Sequence, residues 1–102
     1  DVTLKGSDGV EVQAHRVVLS TRSLVFHRML TGGFTEALSP VVELGYEGRV
    51  LKAVVEFVYT DSPQLLNWEE EEPPSFEVIL SLGAAATYFD LPGLFLQVEE
   101  FF

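Results

Sequence analysis

Leu51, Val54, Val55, Val58 and Tyr59 repeat at the spacing of one helical stripe, and Val50 and Phe57 widen that stripe to most of the circumference. A helix that is apolar on nearly all sides has to be surrounded, so the rest of the chain must wrap around it. With 102 residues, 47% of them hydrophobic and 12% aromatic, the chain has enough material for one such core. A single domain over residues 1–102 is expected.

The flanking segments carry other periods. Val2 and Leu4 alternate with Thr3 and Lys5, and Val10, Val12 and Ala14 with Glu11 and Gln13, the pattern of half-buried strands. Gly6-Ser7-Asp8-Gly9 between them has turn chemistry, so a β-hairpin opens the domain. Val17-Val18-Leu19 fits a short helix from His15 to about Ser20. Ser23 can cap a second helix carrying Phe26, Met29 and Leu30 and stopping at Gly32-Gly33. Val42 and Leu44 predict a third strand, ended by Gly45. Beyond the central helix, Asp61-Ser62-Pro63 and Pro73-Pro74 break the pattern, which places Glu69-Glu70-Glu71-Glu72 in an acidic loop over residues 61–75. Ser75 can cap a helix in which Phe76, Ile79, Leu80, Gly83 and Ala84 share a side, and its small residues admit a close neighbour. Pro92 suits the first turn of a last helix carrying Leu94, Val98, Phe101 and Phe102.

Charge and composition exclude several functions. A formal net charge of -10 repels a phosphate backbone, so direct nucleic-acid binding is not expected. The absence of cysteine removes disulfides and thiolate metal sites. No apolar run approaches the roughly 18 residues that a membrane-spanning helix needs. Catalysis requires a reacting pair within reach, and neither His15 nor His27 has a carboxylate at metal-ligand or proton-relay spacing. His15 reads as a structural histidine bonded to backbone where strand meets helix, and His27 as a surface residue. The four glutamates lack the alternate spacing and the glycine of a calcium loop, and no lysine follows Gly32-Gly33 to make a phosphate cradle. No enzyme, metal or cofactor is expected. Trp68, in the acidic loop, either packs back or is offered to a partner.

Read in order, Asp1-Val2-Thr3, Ala14-His15-Arg16-Val17-Val18-Leu19-Ser20-Thr21-Arg22-Ser23, Phe26-His27-Arg28-Met29-Leu30 and Gly33-Phe34-Thr35-Glu36 resemble the first half of a BTB/POZ domain. Phe57-Val58-Tyr59-Thr60 resembles the end of that family's central helix, and Gly83-Ala84-Ala85-Ala86-Thr87-Tyr88-Phe89-Asp90-Leu91-Pro92-Gly93-Leu94 its alanine run before a final helix. The resemblance covers the chain except for about Ser62 to Ser75. It implies an α+β fold, a cluster of about five helices flanked by a small three-stranded sheet made of the N-terminal hairpin and one further strand.

The resemblance also implies a protein-interaction module of the cytoplasm or nucleus, forming a homodimer or homo-oligomer. Many members bind the cullin-3 scaffold of ubiquitin ligases through an apolar-x-Glu motif after the second helix. Phe34, Thr35 and Glu36 stand at that place, with Tyr59 as a further partner-binding residue. Others are transcription-factor domains that dimerise and hold corepressor peptides. Asp1 and Arg16 match a charged pair found at the dimer interface or anchoring a helix within one subunit. The chain reads as a piece of a longer protein, and the segment that precedes Asp1 in the family supplies part of that interface, so weakened pairing is expected.

Overall fold

The computed structural model describes residues 2–31, 40–63 and 74–100, and in it the opening alternation becomes the expected hairpin. Strand β1 (Val2–Lys5) pairs antiparallel with β2 (Glu11–Ala14), and β3 (Val41–Glu43) lies parallel to β1 on its other side, giving the order β2-β1-β3. The turn is held by Asp8, whose Oδ1 accepts from the Val10 N–H at 3.2 Å and the Gly48 N–H at 3.0 Å. Gly9, at φ 82°, takes the left-handed position that a side chain would strain. Val2 and Leu4 face the core as the alternation requires; Val10 lies on the same side, against Gly48 of the central helix, but at the rim of the core, where it stays 49% exposed.

Five helices follow among the described residues: α1 (Arg16–Arg22), α2 (Leu24–Thr31), α3 (Gly48–Thr60), α4 (Phe76–Tyr88) and α5 (Pro92–Glu99). The apolar helix is central, as its circumference demanded. α3 packs against β2, α1 and α4, and buries Val50, Leu51, Ala53, Val54, Val55, Phe57 and Val58. Ser75 caps α4 by accepting from the Val78 N–H, and Pro92 opens α5. Ser23 caps α2 by accepting from the Phe26 N–H at 3.2 Å, and its own hydroxyl donates to the Phe89 carbonyl at 2.6 Å.

One expected face is corrected. In α4 the buried residues are Val78, Ile79, Leu82, Gly83, Ala85 and Ala86, whereas Phe76, Leu80 and Ala84 of the predicted stripe are exposed. The small residues do admit a close neighbour: a Cβ on Gly83 would stand 3.3 Å from Val98 Cγ1 of α5. The predicted acidic loop lies mostly outside the described residues, Trp68 and Glu69 to Glu72 included, as do Gly32-Gly33 and Phe101-Phe102.

Tyr46, between β3 and α3, has its ring 6.3 Å from Tyr88 and 6.0 Å from Phe89. Burial, and then the neighbouring Tyr88 phenol, raise its pKa above the ordinary 10.0. Above that value the unfolded chain ionises Tyr46 before the folded one does. Its stabilising contribution is complete below about pH 10 and is lost as pH climbs through the folded value. Urea midpoints measured across about pH 9 to 11 should therefore fall, and fall less steeply in Tyr46→Phe.

Candidate partner-binding site

The C-terminal end of α3 gathers three segments that are far apart in sequence. Arg22, the last residue of α1, donates through Nη1 to the Val58 carbonyl at 3.3 Å and through Nη2 to Asp61 Oδ1 at 2.5 Å. Its guanidinium lies 5.4 Å from the Phe57 ring centroid. Asp61 ends the helix at φ 63°, with its N–H donating to the Phe57 carbonyl at 2.8 Å. Asp tolerates this left-handed position better than most residues, because its short side chain can bond locally. The Asp61 carbonyl accepts from Gln97 Nε2 of α5 at 2.8 Å. The Arg22–Asp61 pair is largely solvated and contributes under about 1 kcal/mol. Its effect is geometric: it fixes how α3 terminates.

Tyr59 sits at this end of α3, 42% exposed. Its hydroxyl accepts from the His15 N–H at 2.9 Å and lies 2.7 Å from His15 Nδ1. With Nδ1 unprotonated, the phenol donates to it, and both of its polar directions are satisfied by one residue. What Tyr59 can offer a partner is the exposed part of its ring. The expected backbone bond of the His15 ring is replaced by a side-chain one: the Tyr59 hydroxyl meets both its ring and its N–H.

Arg16 is half-buried at the start of α1 and is engaged in a contact of its own. Beside it Val17 is 72% exposed, and Leu24 at the start of α2 is 51% exposed. Asp1, Phe34, Thr35 and Glu36 lie outside the described residues; α2, which precedes that motif, ends at Thr31. Of the residues singled out in the sequence, the structure thus brings Tyr59 to His15 and places Arg16 one residue further on. Arg22, Asp61 and Gln97 were missed, and only the Asp after an apolar helix hinted at them. Among the described residues no group of three or more His, Asp or Glu could hold a metal ion, and no helix is long and apolar enough to cross a membrane.

The fold agrees with what is found among known proteins. In mouse, the inhibitor of Bruton tyrosine kinase is 39% identical over 62 residues, 60% of this chain and 5% of that protein. Human Kelch-like protein 2 is 38% identical over 66 residues, 64% of this chain and 11% of that protein. The chain thus spans a small part of these relatives. The BTB domain of zebrafish PATZ1 superposes with a TM-score of 0.71 at 20% identity, covering 98% of this chain and 72% of that one, which establishes the likeness of fold. The family model of the BTB/POZ domain matches residues 1–102, so this chain belongs to the BTB/POZ family of protein-interaction modules.

Proposed function

We propose that the domain is a non-catalytic adaptor module, working in the cytoplasm or nucleus, that docks a cullin-3-type ubiquitin ligase scaffold through Phe34, Thr35, Glu36 and Tyr59. The observation that carries this reading is the end of α3. A half-exposed aromatic ring is held in one orientation by His15, on a helix terminus locked by Arg22, Asp61 and Gln97. A rigid aromatic of this kind contributes contact area without losing much rotamer freedom on binding. Phe34, in the apolar-x-Glu position that follows α2, supplies the anchor that enters a groove, and Glu36 pairs at its rim. The likeness to Kelch-like protein 2 favours this over a corepressor-binding role. Self-association is proposed at the Arg16 end of α1, near exposed Val17 and Leu24, with Asp1 and Arg16 as the charged pair that the resemblance implies.

Binding of the domain to the amino-terminal region of cullin-3, followed by titration calorimetry, tests the reading. Phe34→Ala with Glu36→Ala should weaken binding by at least about tenfold while the circular dichroism spectrum is unchanged. If the native domain, checked as folded, shows no binding, the adaptor role fails and the corepressor role takes its place.

A further inference from the structure

We infer that the outer edge of β2, with the groove between it and α3, is a second docking site, for an extended acidic segment of a partner protein. β2 is an outside strand of the sheet. The Gly6 N–H donates to the Val10 carbonyl, which makes Gly6 and Val10 a hydrogen-bonded pair. In an antiparallel ladder such pairs alternate. The backbone groups of Val12 and Ala14 therefore point inward to β1, and those of Glu11 and Gln13 point outward. The other strand confirms this phase: Thr3 and Lys5, opposite Gln13 and Glu11, bond away from β2, to the Pro40 carbonyl and the Leu44 N–H. His15, next in the outward series, already has its N–H bonded by the Tyr59 hydroxyl. An open stretch of edge remains at Glu11 and Gln13, both exposed.

That edge borders a groove of about 550 Å³ lined by Val10, Val12, Arg49 and Lys52, with Asp8 and Glu11 also on its border. Val10 and Val12 point to the side of the sheet on which α3 packs, so Arg49 and Lys52 share that side. Of the two carboxylates at its border, Glu11 alternates its side chain toward the other face of the sheet, and Asp8 Oδ1 is held by the Val10 and Gly48 N–H groups. Six lysines and arginines serve a chain of net charge -10. Lys5 pairs with Glu43, Arg22 with Asp61, and Arg16 is engaged. Among the described residues Arg49 and Lys52 make no ion pair, although they lie one turn apart on one wall of the groove. A strand added to β2 would alternate its side chains, and every second one would meet these two cations and the exposed methyls of Val10. Carboxylates at alternate positions fit that register.

A short blocked peptide alternating glutamate with threonine, titrated into the isotopically labelled domain, tests the site by NMR. Expected are shifts of the Glu11, Gln13, Arg49 and Lys52 amides and slowed exchange at Glu11 and Gln13. Arg49→Glu with Lys52→Glu, both at exposed positions, should weaken binding about tenfold with an unchanged circular dichroism spectrum. The proposal is overturned by absence of binding at millimolar peptide, or by equal affinity of the charge-reversed domain. It is overturned equally if two peptides N-methylated at alternate amides, in opposite phases, both bind undiminished, since strand pairing, which one of the two phases must block, would then play no part.

Discussion

Phe89→Ala should remove about 3–5 kcal/mol of folding stability, a large share of the roughly 5–15 kcal/mol that holds a domain together. Phe89 is fully buried just past the end of α4. Its ring stacks on Phe26 of α2 with centroids 4.3 Å apart and planes 5° from parallel, and meets Tyr88 edge-on at 5.0 Å. Truncation therefore loses the transfer of a whole ring from water, and also leaves a cavity whose walls come from three elements: α2, α4 and the Tyr46 segment. Walls on separate elements cannot close without moving helices, so the cavity persists and the cost stays at the upper end. Phe89→Leu, which keeps most of the volume, should cost less than half as much. Urea denaturation followed by circular dichroism measures both. A fall in Phe89→Ala no larger than about 1 kcal/mol would mean that the Phe26–Phe89 stack is not the joint between the helical layers.

The elements legible in the sequence were those whose signals are local. The hairpin followed from alternation and a glycine-flanked turn, α3 from its apolar circumference, and the starts of α2, α4 and α5 from Ser23, Ser75 and Pro92. The buried face of α4 was not legible because the helix is apolar almost everywhere, and a stripe through Phe76, Leu80 and Ala84 scores as well as the true one. Which side is covered is decided by α3 and α5, and the packing of those helices is long-range information. The exposure of Val10 was hidden for a related reason: alternation predicts a side, but how fully that side is covered depends on where the core ends. At the candidate site the partner of His15 was not legible, because Tyr59 lies 44 residues away and no spacing rule connects them. Arg22 and Asp61, 39 residues apart, are hidden in the same way. The partner-binding motif Phe34-Thr35-Glu36 rests on resemblance, and its test is the binding experiment above.

Ser23 should be the most sensitive polar position in the domain. It is the one polar residue that is buried as a whole among the described residues, and it stands between α1 and α2 with a hydroxyl that works in two directions. It accepts from the Phe26 N–H, satisfying one of the orphan donors of α2, and it donates to the Phe89 carbonyl 66 residues away at the end of α4. Ser23→Ala loses a helix cap, worth about 1 kcal/mol, and strands the buried Phe89 carbonyl at about 1–3 kcal/mol more, so a total near 3 kcal/mol is expected. Ser23→Thr retains the hydroxyl and should recover part of the loss, to the extent that the buried site admits its methyl. Because Ser23 holds the backbone of the same residue whose ring stacks on Phe26, Ser23→Ala and Phe89→Ala act on one joint. Their combined cost in a double-mutant cycle should fall short of the sum by about 1 kcal/mol. Strict additivity in urea denaturation would show instead that the hydrogen bond and the stack stabilise the α2–α4 contact independently, each surviving when the other is gone.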